Sequence, residues 1–194
     1  MSKVMMHNVV SVDGFIADEN DDIGPLFEWY GNGSEQVRDG SAFRLTPASA
    51  AYVRPMWESI GSMVIGRRLF DLMNGWDGQP PTGDHVVVVS HRPKPAGWHP
   101  EASYHFVNDV VAAVAKATEL AGGRNVAVAA GDVGGQALAA DLVDEVCMDV
   151  VPVVFGSGRR YFGPVDGLHL LENPDAVVVG DRVLHLRYRV HRDG

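Results

Sequence analysis

"VAVAAGDVGGQALAADLVDEV", residues Val126 to Val146, decides how the rest of the chain is read. An apolar, strand-like run ends in glycines, and an alanine-rich helical pattern starts at once. That is one strand-to-helix step of an α/β sheet. The turn reads Gly131-Asp132-Val133-Gly134-Gly135, a spacing that differs from the dinucleotide fingerprint GxGxxG. Two readings are open for it. Glycines let a backbone approach a ligand, and a helix N-terminus favours anions. The same glycines also serve simply to tighten a turn.

Strand signals recur on both sides of this step. Lys3–Ser11 is apolar and β-branched and turns at Asp13-Gly14. Met63–Ile65, His85–Ser90, Tyr104–Val107 and Asn125–Ala129 are short apolar runs closed by turn residues or caps, the pattern of buried parallel strands. Helices fill the gaps. Pro47–Ile60 opens with Thr46 as N-cap and Pro47 at the first helical position, and Pro55 is expected to kink or split it. Arg67–Met73 is a short helix just after Gly66. Asp109–Ala121 places Val110, Val111, Val114, Ala117 and Ala121 on one face, with Asn108 as cap and Gly122-Gly123 as stop. Gly134–Leu142 is the helix of the opening stretch.

The tail differs. Glu145–Phe155, Ala176–Val179 and Val183–Val190 follow one another without a helix, and Gly180-Asp181-Arg182 reads as a hairpin turn. The fold class expected is α/β, with a mixed, mostly parallel central sheet flanked by helices and a C-terminal antiparallel hairpin. One domain over residues 1–194 accommodates all of it.

The chain carries 16 Lys and Arg against 25 Asp and Glu, a formal net charge of −9. That balance argues against broad nucleic-acid or anionic-membrane binding but leaves room for a local basic pocket. Cys147 is the single cysteine and the eight histidines show no ligand spacing, so neither a disulfide framework nor a metal site is expected. No signal-peptide pattern and no membrane-length apolar run is present, which predicts a cytoplasmic protein. Residues 25–44, "PLFEWYGNGSEQVRDGSAFR", lack a period yet carry Phe27, Trp29, Tyr30 and Phe43. Too aromatic for a linker, they read as a lid over a site or as a loop held down by its aromatics.

Five segments occur in order: Ser11-Val12-Asp13-Gly14, "MVIGRRLFD" (Met63–Asp71), "VVVVSHRP" (Val86–Pro93), the opening stretch, and "VPVVFGSGRRYF" (Val151–Phe162) with a closing "HLRYRV". Together they resemble the dihydrofolate reductase fold. The resemblance is to its riboflavin branch, the reductase domain of the bifunctional deaminase/reductase and its stand-alone relatives. The deaminase half, with its zinc-ligand motifs, is not in this sequence.

The resemblance implies that the glycine turn faces the pyrophosphate of NADPH, admitted by Gly131, Gly134 and Gly135. Asp132 is then a helix cap or turned away. A 2′-phosphate needs guanidinium-type donors, and Gly66-Arg67-Arg68 with the rim Ser90-His91-Arg92 offers them, favouring NADPH over NADH. One departure is Leu69, where the folate enzymes carry Thr, so a hydroxyl donor is lost. Asp13 is the expected catalytic group beside the substrate ribose, steering a developing cation or relaying a proton; an ordinary Asp-Gly turn is the plainer reading. Folate enzymes place their acid on the first helix, where Glu58 matches poorly. Trp29, Trp76 and Arg159 are expected on the substrate side, although Trp76 equally suits packing and Arg159-Arg160 an exposed hairpin. The implied activity is NADPH-dependent reduction of a small pyrimidine- or pterin-like heterocycle by a homodimer. Dihydrofolate reduction and a non-catalytic NADP-binding module are the alternatives.

Overall fold

The structure is a computed structural model that describes residues 2–191. Among them the chain runs β1 (Val4–Ser11), β2 (Phe15–Ala17), β3 (Glu35–Gln36), β4 (Arg44–Leu45), α1 (Pro47–Ser59), β5 (Ile60–Gly66), α2 (Arg67–Leu72), β6 (His85–Val89) and β7 (Tyr104–Val107). It continues with α3 (Val110–Leu120), β8 (Asn125–Ala129), α4 (Asp132–Ala139), β9 (Glu145–Val151), β10 (Arg159–Arg160), β11 (Ala176–Val179) and β12 (Leu184–Arg189). Eight strands form one sheet in the order β11-β12-β9-β1-β8-β5-β6-β7. The six from β9 to β7 pair in parallel. The β11–β12 hairpin adds to β9 antiparallel, as the tail pattern predicts.

Period-two alternation sorts the central side chains onto two faces. Met6, Val10, Val64, Val87, Val126 and Val128 face α3 and α4. On the other face Val9 and Val151 pack with Ala50 and Val53 of α1, while Ile65, Val86 and Val88 pack with Phe70 of α2. The connections after β1 and β5 therefore cross one face and the connection after β8 crosses the other. Where neighbouring parallel strands send their chains to opposite faces, a crevice opens at their C-terminal ends. β8 has such a neighbour on each side, β1 and β5. The crevice therefore lies at the C-terminal ends of β1, β8 and β5.

Local details follow their own physics. Thr46 caps α1 by accepting from the Ser49 amide, and α1 runs unbroken past Pro55, so the expected split does not occur. The cap of α3 is Asp109 and not Asn108, because the Asp109 carboxylate accepts from the Ala112 amide at 2.7 Å. Val111 lies on the exposed side of α3, and Ala113 takes the buried place instead. α4 begins two residues before Gly134 and ends at Ala139, with Gly131 as its cap. No helix among the described residues is long and apolar enough to cross a membrane.

Candidate active site

The segments after β1, β5 and β8 meet at the crevice. After β1, Ser11 is buried and its hydroxyl donates to Asp13 at 2.6 Å. Asp13 also accepts from the amides of Gly156 at 2.7 Å and Phe155 at 3.3 Å. The Ser11 hydroxyl, opposed by partial desolvation and helped by those amides, holds the Asp13 carboxyl below its ordinary range. Asp13 is thus a fixed negative charge that ties residues 155–156 to the end of β1. That geometry suits steering a cation and disfavours giving up a proton at neutral pH.

After β8, Gly131 has φ 95° and ψ −149°, a conformation glycine alone adopts easily. Its amide donates to the Tyr161 carbonyl at 2.6 Å and its carbonyl accepts from Gly135. The amides of Asp132, Val133 and Gly134 are the first-turn donors that an α-helix leaves without internal acceptors. Gly134 and Gly135 also serve close packing. A Cβ on Gly135 would overlap the Phe162 carbonyl oxygen, and one on Gly134 would stand 2.8 Å from the Ala129 oxygen. Both are buried and let α4 lie flat on its neighbours. Asp132 is exposed in the first turn and makes no capping bond.

After β5, a Cβ on Gly66 would stand 3.2 Å from a Val133 methyl, so the starts of α2 and α4 adjoin. Arginines gather there in two groups, each around a carboxylate. Arg67 donates to Asp71 at 2.8 Å and Arg92 to the same group at 2.7 Å. Arg67 further reaches the carbonyls of Arg92 and Pro93, while the Ser90 hydroxyl donates to the Arg92 carbonyl at 2.7 Å. Arg68 pairs with Asp21 through two nitrogens, and Arg159 reaches Asp21 at 3.0 Å. The hydrogen bond from Arg68, opposed by desolvation and helped by Arg159, holds the Asp21 carboxyl low. His91 is exposed beside the first group. Guanidinium clusters beside unsatisfied helix amides are a donor set that fits phosphates.

The two tryptophans part company. Trp29 is 2% exposed, stacked on Tyr30 with ring centroids 4.1 Å apart and packed against Val9, Leu45 and Val53. It is core, and the expected substrate contact is corrected. Residues 24–31 form a 3-10 turn whose Leu26, Trp29 and Tyr30 point inward, so these aromatics anchor the segment. Trp76 is half-buried in a run from Asn74 to Gly78 whose φ values are all positive, from 46° to 82°. Three of those residues carry side chains, and such strain clusters at functional sites. Trp98 holds the run by donating to Asn74. Glu58 is exposed on α1, beside Arg54 and Glu35 in an open cavity of about 680 Å³.

The sequence reading missed a buried polar chain. His7 of β1 and His185 of β12 flank Asp149 of β9, at 2.9 and 2.6 Å, and His185 Nε2 lies 2.9 Å from the Ser49 hydroxyl. The available signal was an ionisable residue in each apolar strand run, His7 and Asp149. Among the described residues no group of three or more His, Cys, Asp or Glu is placed to hold a metal.

A family model, the RibD C-terminal domain, matches residues 2–184. The chain belongs to that family. Solved structures share the fold of this RibD C-terminal domain at low identity. A putative riboflavin biosynthesis protein from Shewanella sp. PV-4 superposes with a TM-score of 0.72 at 21% identity, over 99% of this chain and 100% of that one. The deaminase/reductase of Thermotoga maritima, a diaminohydroxyphosphoribosylaminopyrimidine deaminase/5-amino-6-(5-phosphoribosylamino)uracil reductase, gives 0.61 at 15% identity, over 98% of this chain and 57% of its own. A pyrimidine reductase-like protein of Corynebacterium diphtheriae gives 0.61 at 13%, over 99% and 93%. No curated protein matches the sequence significantly.

Proposed function

We propose that this protein is an NADPH-dependent reductase of a pyrimidine- or pterin-like heterocycle, akin to 5-amino-6-(5-phosphoribosylamino)uracil. The observation that carries the reading is the pair of arginine clusters beside the adjoining starts of α2 and α4, at the crevice of a RibD C-terminal domain. The cofactor's phosphates would be held by Arg67, Arg68 and Arg92, with Gly66, Ser90 and His91 on the rim. The first-turn amides of α4, from Asp132 to Gly134 behind the Gly131 turn, would hold its pyrophosphate. When bound, the reduced nicotinamide supplies a hydride. Asp13 holds a negative charge at the end of β1, where it stabilises positive charge developing on the substrate. Trp76 and Arg159 border the substrate side. The protein works as a single domain, as a cytoplasmic homodimer.

Loss of NADPH absorbance with 5-amino-6-(5-phosphoribosylamino)uracil, with dihydrofolate and with a panel of small heterocycles tests the reading. Turnover of a pyrimidine or pterin supports it, and bound NADPH without turnover of any ring leaves a binding module. NADPH should bind more tightly than NADH. The double variant Arg67→Ala with Arg68→Ala is expected to weaken NADPH about tenfold to a hundredfold, the worth of one or two charge-assisted hydrogen bonds. NADH affinity should hardly move. Equal affinity of the unaltered protein for both nucleotides defeats the 2′-phosphate assignment.

Asp21 has the opposite role. Its carboxylate already engages Arg68 and Arg159, so an incoming phosphate must displace it. Asp21→Asn keeps a residue that tolerates the local φ of 67° and removes the competing charge. Each exposed pair is worth about 0.2–1 kcal/mol, so NADPH affinity should rise by roughly fivefold, most at low salt. Unchanged affinity in a titration across salt concentrations would show that Arg68 does not bind the nucleotide.

A further inference from the structure

We propose that His7 is a proton-donating residue of the reductase site, with Asp149, His185 and Ser49 as the chain that positions it; this rests on the reductase reading above. Reduction of a C=N or C=O bond needs a hydride at carbon and a proton at the heteroatom. Asp13 does not serve as the proton source, since its carboxylate accepts three hydrogen bonds and stays ionised. The proton therefore comes from another group at the crevice.

His7 is placed for that work. It stands on β1 opposite Ala129 of β8, the residue before the Ala130-Gly131 turn, and its carbonyl accepts from the Ala130 amide. Its ring lies on the sheet face shared by Val9, on the strip between the core under α1 and the core under α2. Along that strip His7, Ala129 and Met63 are only half-buried, whereas Met5, Val9, Ile65, Val86 and Val88 are fully buried. The sheet is thus less covered beside His7, where β8 contributes the small side chain of Ala129.

The polar chain runs one way, from core to opening. Ser49, Asp149 and His185 are all buried, and the rings of Trp29 and Tyr52 pack against His185. Side-chain exposure is 0% for His185 and 2% for Asp149, then 18% for His7. Nε2 of His7 is taken by Asp149, while Nδ1 bonds no described protein group. A carboxylate that fixes one imidazole nitrogen sets the ring's orientation and leaves the other nitrogen for a ligand. The groups facing His7 are Asp149 and its register partner Cys147 on β9, with His185 from β12 and Tyr52 from α1 behind them. In the step, substrate carbon gains the hydride from a reduced nicotinamide and the π pair moves to the heteroatom. That atom takes the Nδ1 proton of His7, which solvent restores.

Two measurements decide the assignment. In nitrogen-labelled protein, a non-reducible 6-(ribitylamino)uracil added with NADP⁺ should shift the His7 Nδ1 resonance and leave that of His185 in place. His7→Gln keeps a donor toward Asp149 but lacks the acid; it should lower kcat about a hundredfold, the scale of general-acid catalysis, with NADPH affinity within twofold. Asp149→Asn should lower kcat about tenfold with KM held. A folded His7→Gln that turns over within threefold of the unaltered protein overturns the proposal. So does a His7 nitrogen unmoved by saturating NADP⁺ and uracil. If the unaltered protein reduces no ring at all, the reductase reading fails, and the resonance shift still decides whether His7 faces a ligand.

Discussion

Gly135→Ala is expected to cost about 3 kcal/mol or more, a large fraction of a domain's total stability. Gly135 sits in the first half of α4, where alanine is otherwise the better helix former. A Cβ there would overlap the carbonyl oxygen of Phe162 and stand 3.1 Å from its carbon, both backbone atoms that cannot rotate away. Relief requires α4 to lift from residues 162–165, which also loosens the Tyr161 carbonyl that holds the Gly131 amide. The damage thus reaches the proposed pyrophosphate cradle. Gly134→Ala is milder, because one of its close neighbours is the flexible end of Met6. Gln136→Ala, at an exposed position of the same helix, serves as the neutral control. Urea melts of the three variants check the order. A Gly135→Ala protein as stable as Gln136→Ala would mean that α4 does not pack as described.

Asp149→Ala is expected to lose about 3–5 kcal/mol, the usual result of removing one partner from a buried charged network. The loss leaves His7 and His185 without their shared acceptor, and His185 is wholly buried. Burial by itself raises the Asp149 carboxyl. The charge of His7 and the hydrogen bonds from both imidazoles outweigh it and leave the group lowered from 3.8 to about 2. A carboxyl whose folded value is depressed adds stability above its ordinary value and loses it as pH falls through the folded one. The drop corresponds to about 2 kcal/mol, present above a pH of about 4 and gone near 2. Denaturant midpoints measured down that range should fall in the unaltered protein, and this part of the fall should be missing in Asp149→Ala. Equal acid sensitivity of the two proteins would remove Asp149 as the group responsible.

The strands and most helices were legible because their signals are local. Val86, Val87 and Val88 have no polar alternative to burial, Thr46-Pro47 starts a helix by its own chemistry, and Gly180-Asp181-Arg182 turns the tail into a hairpin. Reading errors came where two neighbours offer the same chemistry. Asn108 and Asp109 are both good caps, and only the path of the chain into α3 selects the second.

The site was legible in part. The basic residues at Gly66-Arg67-Arg68 and Ser90-His91-Arg92 do gather, since each follows a parallel strand and parallel strands end on one side. What they gather around was not legible. Asp21 reaches Arg68 across 47 residues and Arg159 across 138, separations that carry no local signal. Trp29 shows the same limit in reverse. An aromatic in an aperiodic segment looks available for a ligand until the packing of Tyr30, Leu45 and Val53 turns it inward.

By itself the sequence determined the α/β class, the mostly parallel sheet with its closing hairpin, and the glycine turn after β8, all through spacing, capping and alternation within short windows. The tertiary structure alone decided that β8 inserts between β1 and β5, that Gly134 and Gly135 serve close packing, and that His7, Asp149, His185 and Ser49 form one chain. The reason is physical: strand order and side-chain partnership are set by which distant surfaces exclude water together, and no short window of sequence contains both surfaces.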